Sequence, residues 1–337
     1  MLFPGATADN AATVMRVVDL GDQPDGGADL PAPPGVVVAL GDPVAPHAEY
    51  WLQRATFTLT EAPAKHADDL RVVRTDSVPD TLAELDRRCR RWPQAATVCD
   101  DVLRSVDPTA PVLTGVLTES LAYSTLQSGP EFARWLAERG PAVLPSTAAP
   151  VQAERIGDTL LIRFNRPQRH NAFSTQMRAA LLDALTVGRL DPSVNEVVLS
   201  GNGPSFCSGG DLAEFGTFTD PTSAHLARTR YSPALSLDEL TRHLGRRCRA
   251  EVHGRVLGSG LEMAAYCGWV RAHPDAEFGL PELSLGLLPG AGGTVSITRR
   301  IGRWRTAFLV LSGQTLDASR AQRWGLVDEV GDVGTRP

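Results

Sequence analysis

Hydrophobic patterning divides the chain into short strand-like runs and longer helical stretches, and the two kinds alternate most regularly in its second half. "TLLIRF" (159–164) alternates apolar and polar residues like a half-buried strand. The turn "NRPQRHNAFS" follows, and Ser174 is placed to cap a helix over "TQMRAALLDAL". "EVVLS" (196–200) and "RCRAEVHG" (247–254) predict further strands, each leading into a glycine-containing loop. Helical patterns then run through "LEMAAYC", "TVSITRRIG", "RWRTAFLVLSG" and "DASRAQRWG". Strand, loop and helix in repeated succession predict an α/β fold.

The first half is patterned differently. Short β-type runs, "VVVAL" (36–40), "TFTLT" (56–60) and "LRVV" (70–73), precede helical patterns at 79–91, 95–106 and 112–127. A further short helix is expected in "GPEFARWLAERG" (129–140). Residues 22–35 are rich in Pro, Gly and Asp and read as an irregular connector, and "GPAVLPSTAAP" (140–150) as a domain boundary. The division expected is a smaller α/β or mainly helical region over 1–145, carrying no recognisable chemistry, and a second domain over 151–337.

Composition narrows the classes of partner. A net charge of −6 argues against nucleic acid, whose phosphates call for a basic footprint. Lys65 is the only lysine, so any phosphate on a ligand must be met by arginine forks or backbone N–H groups. Five cysteines (Cys89, Cys99, Cys207, Cys248, Cys267) without C-x-x-C spacing read as free thiols in a reducing compartment. The first ten residues carry no secretory pattern, and no apolar run reaches 18 residues, so a cytoplasmic protein without a membrane partner or metal is expected.

"SGNGPSFCSGGDLAEF" (200–215) concentrates small residues directly after a strand. It lacks the third glycine of a dinucleotide fingerprint and the G-K-[ST] of a P-loop. Three other stretches share its character. "HGRVLGSGLEMAAYC" (253–267) sets Gly258, Ser259 and Gly260 at the mouth of a helix, where unpaired N–H groups point outward. "FGLPELSLGLLPGAGGT" (278–294) places Glu282 after a proline and ends in a glycine nest, and "LSGQTLDASRAQRWGLVDEV" (311–330) closes the series. With "NRPQRHNA", these ordered motifs over 155–330 resemble the crotonase superfamily, the enoyl-CoA hydratase/isomerase family.

The resemblance implies a spiral of ββα units that binds an acyl-coenzyme A thioester and stabilises an enolate on the thioester oxygen. Two peptide N–H groups would do this, from Gly210 and from Ser259, the latter at a position that is usually glycine in the family. Glu262 and Glu282 fill the positions of the two hydratase glutamates, which together activate water and deliver a proton to the α-carbon. Arg166 and Arg169 lie in the turn expected near the nucleotide end of coenzyme A. Asn171, Ala172, Ser208, Gly209, Asp211, Leu212 and Gly258 complete the implied acyl-CoA-binding set, with Asp211 also expected to hold its own loop. Cys207, Cys267 and His253 read as structural.

No cofactor beyond coenzyme A in the substrate is implied, and a homo-oligomer (trimer or hexamer) is. Relatives continue past the "GLVDEV" segment with helices that cover the site, so the front region is expected to replace that lid. The alternation of Arg247, Arg249, Glu251 and His253 is expected to meet the N-terminal region or a neighbouring subunit. Competing readings are a double-bond isomerase, other thioester chemistry including a cofactor-independent oxygenase, and a catalytically silent partner subunit.

Overall fold

The computed structural model describes residues 14–23, 35–62, 69–143, 148–218 and 220–334. Lys65, most of the 22–35 connector and part of the 140–150 segment fall outside them. The order in the first half is β1 (Met15–Asp19), β2 (Val36–Leu40), α1 (Ala48–Arg54), β3 (Phe57–Thr60), β4 (Val72–Arg74), α2 (Val78–Arg91), α3 (Pro93–Ser105), α4 (Val112–Gln127) and α5 (Pro130–Arg139). The four strands form one sheet in the order β1-β2-β3-β4, every pair parallel. The region is therefore α/β and not mainly helical. The unbroken apolar run "VVVAL" is a strand buried on both faces, as the interior of a parallel sheet requires. Val37 and Ala39 face Trp51 and Leu52 of α1, while Val36 and Val38 face the main core.

The second half continues with β5 (Val151–Ile156), β6 (Thr159–Phe164), α6 (Thr175–Leu190), β7 (Glu196–Gly201), α7 (Pro221–Arg230), α8 (Pro233–Leu244), β8 (Cys248–Val252), β9 (Arg255–Leu257) and α9 (Ser259–Ala264). It closes with β10 (Trp269–Ala272), β11 (Glu277–Gly279), α10 (Gly293–Ser312), β12 (Leu316–Asp317), α11 (Ala318–Trp324) and β13 (Glu329–Val330). Ser174 caps α6 as expected, its side chain accepting from Met177 N. The patterns at 294–302 and 303–313 form one rod broken at Gly302, whose φ of 77° leaves the helix.

Two sheets result, ordered β13-β10-β8-β7-β6-β5 and β12-β11-β9. The chain lays one strand in the large sheet and the next in the small one: β8 then β9, and β10 then β11. Isolated bridges extend the small sheet in the same way, Phe173 pairing with Gly210 after β6 and Cys207 with Val256 after β7. This is the spiral that the resemblance implied.

One hydrophobic cluster runs through both halves, from Phe57, Leu85, Cys99, Val116 and Phe132 to Val295 and Phe308. The rings of Phe57 and Phe308 meet edge to face with centroids 5.5 Å apart. The N-terminal helices pack chiefly on α10, α7 and the 282–285 turn. The polar face of β8 is not their docking surface. Its Arg249 pairs with Glu196 on β7 and with Glu251, and Arg271 of β10 pairs with Glu329 of β13, so the charges answer one another across strands. All five cysteines are buried and free, and His253 is buried with Nε2 on the Gly203 carbonyl. Among the described residues, no helix is long and apolar enough to cross a membrane.

Gly286 is one place where the halves meet closely. Its φ is 71°, and a Cβ there would stand 2.9–3.0 Å from Glu131 and the Phe132 backbone nitrogen at the start of α5. Gly286→Ala should therefore destabilise the fold by about 1–3 kcal/mol, read as a lowered denaturant midpoint with unchanged slope.

Candidate active site

The small sheet brings distant loops together. Leu257 N donates to Cys207 O at 3.0 Å, Phe173 N to Gly209 O at 2.8 Å, and Asp211 N to Phe173 O at 2.9 Å. These bonds lay the 207–211 loop against the entry to α9. A Cβ on Gly258 would stand 3.5 Å from Gly209 Cα and 2.5 Å from Glu282 Oε1, and φ at Gly258 is 47°. Only glycine fits that crossing. Ser259 then opens α9, where a first-turn N–H has no intrahelical acceptor.

Gly210 and Ser259 line one cavity of about 390 Å³, together with Glu262 and Glu282. Glu262 is buried, and its Oε2 accepts from Ala291 N at 2.7 Å and Gly293 N at 2.8 Å. Burial pushes its carboxyl up to about 7 against those two bonds. Glu282 Oε2 is buried without a partner among the described residues. Burial, and then the charge of Glu262, hold Glu282 well above the ordinary carboxylate range. Two acids with unequal environments thus face one space, one anchored by two loop amides and one with an oxygen left without a partner among the described residues.

A third carboxylate comes from the N-terminal half. Glu119 of α4 lines the cavity and is 1 % exposed. Its Oε1 accepts from Gly292 N at 2.6 Å, and its Oε2 from Thr294 N at 2.9 Å and Thr294 Oγ1 at 2.7 Å. Glu119 and Glu262 therefore hold alternate N–H groups of one loop, at the amino end of α10. Burial and the neighbouring Glu262 charge push Glu119 up to about 8.

The sequence model of enoyl-CoA hydratase/isomerase matches residues 155–333, more than half of the chain. The chain belongs to the enoyl-CoA hydratase/isomerase family. It is 37% identical over 171 residues to a 2,3-dehydroadipyl-CoA hydratase of Escherichia coli, covering 51% of this chain and 65% of that protein. It is 36% identical over 179 residues to a probable enoyl-CoA hydratase of Mycobacterium leprae, covering 52% and 65%. The chain thus spans just under two thirds of the length of these relatives. Among solved structures it is similar to an enoyl-CoA hydratase from Thermoplasma volcanium, at 34% identity and a TM-score of 0.47, covering 55% of this chain and 73% of that one.

Within this family member, the residues expected to bind acyl-CoA fall into two groups. Ser208, Gly209, Gly210, Asp211 and Leu212 line the cavity, and Gly258 lies against Glu282 at its edge. Arg166, Asn171 and Ala172, also expected to bind the ligand, are buried and lie outside the cavity lining. The Arg166 guanidinium donates to Asp211 Oδ2 at 2.8 Å and to the Ala172 carbonyl. Asn171 Oδ1 accepts from Arg166 N, and its Nδ2 donates to Asn202 O and Ser205 O. These side chains brace the loop. Arg169 is half-exposed, with Nη2 on Asp211 Oδ1 at 2.8 Å. Asp211 serves as a buried hub for both arginines and for Ala213 N. Among the described residues, no group of three or more His, Cys, Asp or Glu side chains could hold a metal ion.

Sequence reasoning missed Glu119, Tyr123 and Gln127 of α4, and Arg178 and Arg228, all of which line the cavity. One signal was available. Glu119 is the lone charged residue of the sixteen in α4, so it is a carboxylate in a helix otherwise fit for burial.

The raised Glu119 carboxyl has a thermodynamic consequence. A group moved up from 4.5 to about 8 on folding lends stability that is complete below pH 4.5 and lost as pH rises through 8. Glu119→Gln, uncharged throughout, should begin less stable because its NH₂ meets an N–H donor. Its urea midpoint should nonetheless fall less than the wild type's between pH 5 and pH 8.5.

Proposed function

We propose that the chain is an acyl-CoA hydratase or dehydratase, adding or removing water at the 2,3-position of an enoyl thioester. The observation that carries this reading is that Glu262 and Glu282, from separate motifs, share one cavity with Gly210 and Ser259. In the proposed reaction, the thioester oxygen lies between the N–H groups of Gly210 and Ser259. Ionised Glu262, anchored through Oε2, takes a proton from water as the hydroxyl oxygen bonds to the β-carbon. The developing negative charge passes to the thioester oxygen as an enolate, which the two amides stabilise. Protonated Glu282 then gives its proton to the α-carbon, so that one water is added across the double bond. Each amide is worth roughly 3–4 kcal/mol of barrier lowering.

Their surroundings support these roles. Glu282, held above the ordinary carboxylate range by burial and with Oε2 lacking a partner among the described residues, suits the acid, while Glu262, amide-anchored and near 7, suits the base. The names of the two relatives agree with hydration of enoyl-CoA thioesters.

Loss of crotonyl-CoA absorbance measures the reaction directly. Glu262→Gln and Glu282→Gln should each lower kcat on the order of 10²–10⁴-fold. Acyl-CoA binding without turnover of any enoyl-CoA by the wild type would contradict the proposal. In the wild type, kcat/KM should rise with pH through about 7 as Glu262 ionises, and fall at higher pH as Glu282 loses its proton. A flat profile from pH 6 to pH 9 would contradict the assignment of roles.

A further inference from the structure

Arg178 stands early in α6 and lines the same cavity. Its backbone N–H is used within the helix, donating to Ser174 O at 2.9 Å. Its guanidinium has no hydrogen-bond or ion-pair partner among the described residues. The other cavity arginine, Arg228, is the contrast. Its Nε donates to Ser120 Oγ at 3.1 Å and its Nη1 to Gln127 Oε1 at 2.9 Å. Its Nη2 reaches Ser124 Oγ, and the group lies over the Tyr123 ring at 4.5 Å.

The surroundings of Arg178 make the contrast informative. Glu214 is the carboxylate that attracts it, but Glu214 Oε2 is engaged at the start of α6, accepting from Thr175 N at 2.7 Å and Thr175 Oγ1 at 2.8 Å. Arg228 repels it. Half-burial removes water from the guanidinium and disfavours its charge. Arginine does not discharge at any working pH, so a partly dehydrated, unpaired fork is a cost that an arriving oxyanion removes. Carboxylate and phosphate both match its two parallel donors.

We propose that Arg178 is the anion-recognition residue of this cavity, taking a carboxylate or phosphate group of the thioester ligand. The proposal rests on the acyl-CoA reading of the site and deepens it. Two sources carry that chemistry: a carboxylate at the far end of the acyl chain, and the phosphates of coenzyme A. Arg178 belongs to neither the amide pair nor the acid pair, so its contribution is read in affinity and needs no turnover.

The experiment is calorimetric titration of wild type, Arg178→Met and Arg178→Lys with glutaryl-CoA, valeryl-CoA and the pantetheine thioesters of the same acids. If the anion is acyl-borne, wild type prefers both glutaryl thioesters, and Arg178→Met loses that preference by on the order of 10- to 100-fold. If the anion is a coenzyme phosphate, Arg178→Met weakens both CoA thioesters by that factor and leaves the pantetheine thioesters unchanged. In either case Arg178→Lys, which keeps the charge but not the fork, loses less, and this separates recognition from a packing defect. Unchanged affinities for all four ligands in Arg178→Met would overturn the proposal. Failure of the wild type to bind either CoA thioester would instead sink the acyl-CoA reading beneath it.

Discussion

Two buried carboxylates clamping the amino end of α10 are the constraint on which this structure turns. Gly292 and Thr294 give their N–H groups to Glu119, while Ala291 and Gly293 give theirs to Glu262. A helix start buried without acceptors leaves orphan donors, and these carboxyl oxygens accept from them. One acceptor comes from each half of the chain. The N-terminal region is therefore built into the cavity wall and is not an appendage beside it. The shared core around α10, from Phe57 to Phe308, holds the two halves in that relation.

The same clamp gives the two cavity acids different surroundings. An oxygen of Glu262 that accepts two amide bonds cannot swing away, and its charged form is supported against burial. Glu282 has no such support at Oε2, and the missing side chain of Gly258 leaves room for its other oxygen. Two like residues lining one cavity are thereby given different hydrogen-bonding surroundings, the asymmetry that the proposed acid–base roles use. Asp211 performs the corresponding service for the backbone. With Arg166 and Arg169 fixed on it, the 208–212 loop that carries Gly210 is braced from behind.

Much of this was legible in the residues. Unbroken "VVVAL" and alternating "TLLIRF" became β2 and β6 because burial on both faces or on one writes itself into the pattern. The Ser174 cap was legible because its chemistry is local. Short elements were missed: β1, α1 and β5 carry five, seven and six residues, too few for a period to stand out. Arg166 was misplaced for a different reason. Its partner Asp211 is 45 residues away, and nothing near a surface-like "NRPQR" turn announces a buried ion pair. The partnership of Glu119 with α10 spans 173 residues and was equally silent, although its isolation in an uncharged helix marked it as unusual.

In the proposed reaction one carbonyl oxygen is received by two main-chain amides from distant loops, with a carboxyl on either side. A crystal structure with a bound, unreactive acyl-CoA tests it most directly. The thioester oxygen is expected at about 2.7–3.1 Å from both Gly210 N and Ser259 N, with Glu262 and Glu282 flanking the acyl α- and β-carbons. A thioester bound elsewhere, or one whose oxygen turns away from these two nitrogens, would contradict it.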